Sequence, residues 1–392
     1  MTIPHPMLQK YLISDLPKAD DLLPWLRRLD ENRWYSNFGQ LATEFERKIE
    51  NLTSAADPFP QLGSIHVTTM VTGYHALEVA LRLLNVRQGG KVLIPAVTFP
   101  ACPLAAQFTG AEAILGDVDP MTWTLTPEIA RRVATTTNLG AVMPVAIYGV
   151  PLPIEGWDQF SRDTGIPVII DAAAAIETQP IPQHGLVAHS LHATKPFGVG
   201  EGGLLVGRNQ KFITDARIYS NFGTYDRIAA VEGSNTKMSE YHAAVGLQQA
   251  ERWPAIKKKR REILALYLKH LKPLMSSLSL QPGLETAVVS TLMLRLKRPI
   301  AANLITRGLQ SNIAFHKMYL PPLYRHPYFT GLALANDNGK ILSGDASPEQ
   351  KAAYMPNSEM MFAHMVGIPF HPFLSENDIA HAAATLARLM AV

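Results

Sequence analysis

The sequence predicts an α/β fold: a three-layer arrangement with a mostly parallel sheet between helices, followed by a smaller C-terminal α+β domain. Three observations predict it. Short apolar runs alternate with amphipathic helical patterns through the first two-thirds of the chain. The runs are apolar throughout rather than every second residue, the pattern of strands buried on both faces. Several of them end in a polar or turn-forming residue, and in such sheets chemistry gathers at the carboxyl ends of strands.

Each element follows from its local pattern. "HALEVALRLLNV" (75–86) carries apolar residues at helical spacing directly after Thr72-Gly73. "KVLIPAVTF" (91–99) reads as a buried strand running into a loop, "PACPLAAQFTG" as a helix and "EAILGDVD" as a strand. "GAVMPVAIYG" and "IPVIIDAAAA" repeat the strand pattern on either side of "IEGWDQFSRDTG", an amphipathic helix. From about Tyr241 the texture changes to a long helical stretch, in which Pro254 is expected to kink or break the helix. "VVSTLMLRLK" then reads as a strand, "AANLITRGLQ" as a helix, and "ENDIAHAAATLARLMAV" as a final helix that Ser375 could cap. The chain of 392 residues suits about two domains. The division is expected as residues 1–250 and 251–392.

Composition narrows the function. The hydrophobic share of 47% supports packed cores, and the net charge of +3 gives no electrostatic signature of a nucleic-acid binder. The densest charge run, "KKKRR" at 257–261, reads as the solvated face of a helix. The single cysteine, Cys102, excludes an internal disulfide and a multi-cysteine metal cage, and it suits a reducing compartment. The 13 histidines show no HExxH or paired spacing, so no metal site is expected. No basic start followed by an apolar stretch opens the chain, and no run approaches the ~18 apolar residues of a membrane span. The expectation is a cytoplasmic protein with neither membrane nor nucleic acid as partner.

The most informative stretch is "SLHATKPFGVGEGG" (190–203), where one lysine, Lys195, stands before a glycine-rich turn and a strand. The glycines would let the backbone bend around the lysine, or simply make a hairpin turn. Asp171 ends the strand "PVIID". Alone it could cap the helix after it, but paired with Lys195 it fits a specific chemistry. An amine bonded to pyridoxal phosphate needs an anion across the ring, which holds a proton on the pyridine nitrogen and makes the ring an electron sink. The cofactor's phosphate needs donors as well. Thr72-Gly73-Tyr74 stands at a helix N-terminus, where backbone N–H groups and the dipole favour an anion, and Ser190 offers a hydroxyl. Phe99 follows a strand and could stack on the ring, or belong to the core. His192 could lie near the cofactor or be a satisfied loop histidine. Cys102 reads as buried and inert. Tyr319, Tyr324 and His326 could line an acceptor site or pack within a loop.

These residues carry a family resemblance over nearly the whole chain. "RWYSNFGQLATEFE", "GYHALEVALRLLNVRQGGKVLIPAVTFPA", "GDVDPMTWTLTPE", "PVAIYGVP", "IDAAAA", "SLHATKPFGVGEGG", "GSNTKMSEYHAAVGL" and "GIPFHPFL" resemble the DegT/DnrJ/EryC1/StrS family. Its members are sugar aminotransferases among the fold-type I pyridoxal-phosphate enzymes. The resemblance implies that Lys195 bonds the cofactor and that Asp171 partners its ring nitrogen. It implies that Ser190 and the backbone at Gly73-Tyr74 bind phosphate, and that Phe99 stacks on the ring. Asn235 falls where the family's asparagine reaches the neighbouring subunit's cofactor phosphate, which implies a homodimer with shared sites. The implied activity moves an amino group from an amino acid, glutamate by preference, to a nucleotide-linked keto-sugar. Alternatives are the same chemistry on a keto-cyclitol or other ketone, an elimination, or a non-catalytic regulatory homologue. Three positions depart from the family pattern: Tyr74 stands where a threonine is usual, Ala174 where a glutamine is common, and Lys237 where an arginine is usual.

Overall fold

The computed structural model describes residues 6–86, 89–300 and 303–391. The first seven strands are β1 (His66–Met70), β2 (Lys91–Pro95), β3 (Glu112–Gly116), β4 (Ala141–Val142), β5 (Val168–Asp171), β6 (Gly185–Ser190) and β7 (Gly203–Gly207). A small exposed hairpin follows, β8 (Thr224–Tyr225) and β9 (Ile228–Ala229). The later strands are β10 (Leu278–Leu280), β11 (Leu292–Leu296), β12 (Ala333–Ala335), β13 (Ile341–Leu342) and β14 (Met365–Ile368). Nine of these form one sheet in the order β1-β7-β6-β5-β4-β2-β3-β12-β13, while β10, β11 and β14 form a separate antiparallel sheet.

The large sheet is parallel from β6 through β12, whereas β7 runs antiparallel to both β6 and β1. The two-residue period of a strand sends neighbouring side chains to opposite faces, and both faces here are apolar. Leu93, Ile170, Val187 and Leu204 enter one core with Phe45, Ile49, Trp157 and Trp253. Val92, Ile94, Ile169, Ala188 and Leu205 enter the other with Leu77, Ala80, Ala105 and Ala216. A third core joins Ile263, Leu264 and Tyr267 to the small antiparallel sheet and the Glu376–Met390 helix. That helix is capped by Ser375, whose hydroxyl accepts from the Asp378 backbone N–H.

Several observations correct or add to the sequence reading. The helix Glu240–Leu271 is continuous over 32 residues, with Pro254 inside it. Pro254 lies on the exposed side, so its ring projects into solvent, and neighbouring turns anchored by Trp253 and Ile256 in the core keep the helix running. The expected boundary at residue 251 falls within this one helix. In the run at 257–261, Arg260 turns inward, 3% exposed, and its guanidinium donates to the Val289 carbonyl at 3.0 Å. The predicted helix "AANLITRGLQ" is observed as Leu304–Gln310, and residues 301–302 lie outside the described residues. Finally, β12 and β13 come from late in the chain yet extend the large sheet at the β3 edge.

Candidate active site

Asp171 ends β5 and Ser190 ends β6, and these strands are parallel neighbours in the sheet. Thr98 and Phe99 lie in the loop after β2, and the Gly73–Leu83 helix starts just after β1. The site therefore sits at the strand ends, as the topology of an α/β sheet requires. One cavity of about 410 Å³ is lined by Thr72, Gly73, Tyr74, Phe99, Asp171, Ser190 and Lys195 together. Asn235 does not line it; it is exposed, bridges to Asn221, and accepts a hydrogen bond from Lys237.

Lys195 sits in the connection between β6 and β7, a hairpin with closed ends. Leu191 N–H donates to the Gly202 carbonyl at 2.8 Å, Ala193 N–H to Gly200 at 2.8 Å, and Val199 N–H to Leu191 at 2.7 Å. Lys195 N–H closes a tight turn onto the His192 carbonyl at 2.8 Å. Gly200 has φ of +105°, a backbone state in which a side chain would be strained. Hairpin and lysine mount are thus one structure.

Where phosphate would sit, the helix start and the end of β6 approach closely. A Cβ on Gly73 would meet the Ser190 Cβ at 2.9 Å, so only glycine allows this junction. Thr72 caps the helix: its hydroxyl accepts from His75 N–H at 3.3 Å and pairs with His75 Nδ1 at 2.8 Å. The Tyr74 ring packs edge-on against His75 and Phe108. Burial pushes its phenol up to about 12, and Glu78, which takes its hydrogen bond, adds to the rise. The phenol is therefore committed to Glu78, and what Tyr74 offers an anion is its backbone.

Asp171 is 6% exposed. One carboxylate oxygen accepts from Ala173 N–H at 2.9 Å and the other from the Cys102 thiol at 2.9 Å. Burial pushes the carboxyl up, while the Cys102 thiol, the Ala173 N–H and the Lys195 charge act to lower it. Lys195 and Asp171 face a single cavity.

Further lining residues escaped the sequence reading: Tyr11, Ser290, Thr291 and Met318 all face the cavity. Tyr148, which follows a strand-like run in the sequence, lines it as well and holds φ of +62°. Of the three loop residues singled out earlier, only Tyr319 reaches the cavity. Tyr324 is buried with its hydroxyl donating to Glu359 at 2.7 Å, and His326 Nε2 pairs with the Pro321 carbonyl at 3.1 Å. His192 lines the cavity, with Nδ1 on the Thr194 hydroxyl at 2.8 Å and Nε2 3.7 Å from Glu201. Among the described residues, no three His, Cys, Asp or Glu side chains gather as a metal site. No described helix is long and apolar enough to cross a membrane.

The donor set fits pyridoxal phosphate: an amine, a buried carboxylate oriented from behind, a hydroxyl, and a helix start that a single Cβ would close. Comparison with known proteins agrees. Residues 18–387 match the sequence profile of the DegT/DnrJ/EryC1/StrS aminotransferase family. The chain belongs to that family. It is a pyridoxal-phosphate-dependent aminotransferase. Protein Rv3402c of Mycobacterium tuberculosis (strain ATCC 25618 / H37Rv) is 26% identical over 391 residues, covering 96% of this chain and 89% of the relative. GDP-perosamine synthase of Caulobacter vibrioides is 25% identical over 416 residues, covering 96% of this aminotransferase and all of the relative. The crystal structure of 3-amino-5-hydroxybenzoic acid synthase superposes with a TM-score of 0.80 at 24% identity, covering 96% of this chain and 99% of that one. That likeness establishes the fold-type I architecture.

Proposed function

We propose that this aminotransferase moves an amino group from an amino acid donor, glutamate, onto the keto carbon of a nucleotide-linked sugar. The observation that carries the reading is the convergence of Lys195, Asp171, Ser190 and Gly73 on one cavity. Lys195 would bond the cofactor, Asp171 would keep a proton on its ring nitrogen, and Phe99 would pack on the ring. Ser190 and the Gly73-Tyr74 backbone would hold the phosphate, with Thr72 fixing the helix start. Pyridoxal phosphate, when bound, supplies the electron sink that lets a proton leave the carbon bearing the amine. The Lys195 amine would act as the base that takes the proton from the donor's α-carbon and passes it on. Over a full cycle the donor's C–N bond gives way to C=O and the acceptor's C=O to C–N, so atoms and electrons balance between the two substrates.

The full relative match to GDP-perosamine synthase supports the nucleotide-linked acceptor. A second reading, a keto-cyclitol or other ring ketone, is favoured by the aromatic wall of Phe99, Tyr148 and Tyr319 and by the likeness to 3-amino-5-hydroxybenzoic acid synthase.

In this reading the enzyme is a cytoplasmic homodimer with shared sites, Asn235 reaching the partner's phosphate. Support comes from the apolar surface beside it: Phe222, Tyr225, Ile228 and Val231 are 54%, 54%, 69% and 58% exposed. Residues 1–250 would form the cofactor-binding domain and the remainder the smaller one, with β12 and β13 lent back to the large sheet.

The experiment converts the purified enzyme to its pyridoxamine form with glutamate and follows 2-oxoglutarate release. It then asks which ketones in a panel of nucleotide-linked keto-sugars, keto-cyclitols and ring ketones restore the aldehyde form. Restoration by a nucleotide-linked sugar alone supports the first reading, and by a ring ketone alone the second. Failure of glutamate and every other amino donor to release a keto acid would overturn both.

A further inference from the structure

Asp171 is held from behind by two donors of different kinds. Ala173 N–H is backbone and comes with the chain's own turn after β5. The second donor, Cys102, lies 69 positions away, in the first turn of the Ala101–Phe108 helix. Its sulfur is 2.9 Å from one Asp171 oxygen and 3.5 Å from the Thr98 hydroxyl, and Thr98 and Cys102 are both buried. The same short segment thus brings Phe99 to the cavity and Cys102 to the back of the carboxylate.

We propose that Cys102 is a positioning residue for the reaction: its thiol donates to Asp171 and aims the carboxylate's remaining lone pairs into the cavity, toward the cofactor's ring nitrogen. This rests on the reading of Asp171 given above. A carboxylate with two oxygens can rotate about its terminal torsion, which is broad and roughly two-fold. A donor on each oxygen removes that freedom, and the lone pairs left over point away from both donors. The donor must also stay protonated. Burial and the neighbouring carboxylate both push the Cys102 thiol up, so the proton remains on sulfur and Asp171 stays the acceptor. A thiol is a weak donor, so it orients the carboxylate while withdrawing little of the charge that the ring nitrogen's proton needs. The Thr98 hydroxyl, donating to the sulfur, would complete a three-member buried chain in which each bond polarises the next.

Because the chain has a single cysteine, its S–H stretch in the infrared belongs to Cys102 alone. In the holoenzyme the band should lie at the low frequency of a hydrogen-bonded thiol and move to higher frequency in Asp171→Ala. An unmoved band overturns the proposal. The kinetic arm compares Cys102→Ala with Cys102→Ser. The alanine variant should bind cofactor roughly tenfold more weakly and lose roughly tenfold in kcat at little change in donor KM, the loss of about one oriented hydrogen bond to a charged group. The serine variant keeps a donor and should recover most of both. If serine is as impaired as alanine, or alanine matches wild type, the assignment of Cys102 is wrong. If Asp171→Ala still loses the cofactor while Cys102→Ala does not, Cys102 falls and the reading of Asp171 stands.

Discussion

The rings of Tyr148 and Tyr319 lie parallel, 5.7 Å apart at an interplanar angle of 7°, although 171 positions separate them in sequence. The Tyr148 hydroxyl donates to the Met318 carbonyl at 3.1 Å, so the residue both stacks on and tethers the loop that carries Tyr319. Both tyrosines hold positive φ, 62° and 60°, a state that costs on the order of 1–3 kcal/mol for a bulky residue and persists only where packing enforces it. Tyr148→Phe keeps the stack and removes the tether. It should raise the KM for the acceptor several-fold, leave the glutamate half-reaction near wild type, and cost about 1 kcal/mol of stability. An unchanged acceptor KM would show that the loop is held by other means.

Gly73 tests the phosphate seat. Its missing side chain is what lets the helix start meet Ser190, since a Cβ there would come within 2.9 Å of the serine Cβ. Gly73→Ala should weaken cofactor binding by roughly tenfold or more, about 1.4 kcal/mol. Far-ultraviolet circular dichroism should stay unchanged, because alanine is a good helix former. Fluorescence titration of the apoenzyme with pyridoxal phosphate reads the change directly.

The common placement of Asp171 and Lys195 in one cavity was legible because Asp171 ends the apolar run of β5 and Lys195 stands before a glycine-rich turn. Cys102 was not legible as their neighbour. Its contact with Asp171 depends on where the loop after β2 crosses β5, and an apolar helix start gives no sign of that crossing. Pro254 does not break its helix: it lacks one ladder hydrogen bond, but the flanking Trp253 and Ile256, anchored in the core, keep the helix continuous. β12, Ala-Leu-Ala, is too short to show any period, and its pairing with Ile114–Gly116 on one side and Ile341–Leu342 on the other makes it a strand. Strands β2, β3 and β5 were readable because burial on both faces leaves them mostly apolar, whereas β1, with His66, Thr68 and Thr69 among its five residues, lacks that pattern.

Acid should destabilise the fold through His189. Its imidazole is fully enclosed, with Nδ1 on the Ala172 carbonyl at 2.9 Å, and burial pushes it down from 6.5 to about 4. Between these values the unfolded chain binds a proton that the folded chain does not, so stability falls as pH drops from about 6.5 toward about 4. His316, also pushed down to about 4 by burial, adds to the same slope. Urea midpoints at pH 7 and pH 5 should differ clearly in wild type and by less in His189→Phe. Equal differences in the two proteins would remove His189 from the account.

The β8–β9 hairpin tests the assembly. Ile228, 69% exposed, is an apolar side chain that a partner copy would cover. Sedimentation should find wild type as a dimer, and Ile228→Asp should shift it toward monomer and lower cofactor occupancy if Asn235 serves the neighbouring site. A monomeric wild type with full cofactor would contradict the shared-site reading.

The central claim is that one amine holds the cofactor. Borohydride reduction of the holoenzyme, followed by proteolysis and mass spectrometry of the peptides, locates that amine. The account predicts a reduced pyridoxyl-phosphate tag on the peptide containing Lys195 and on no other. A tag on a different lysine, or none on a protein that carries the cofactor, would contradict it.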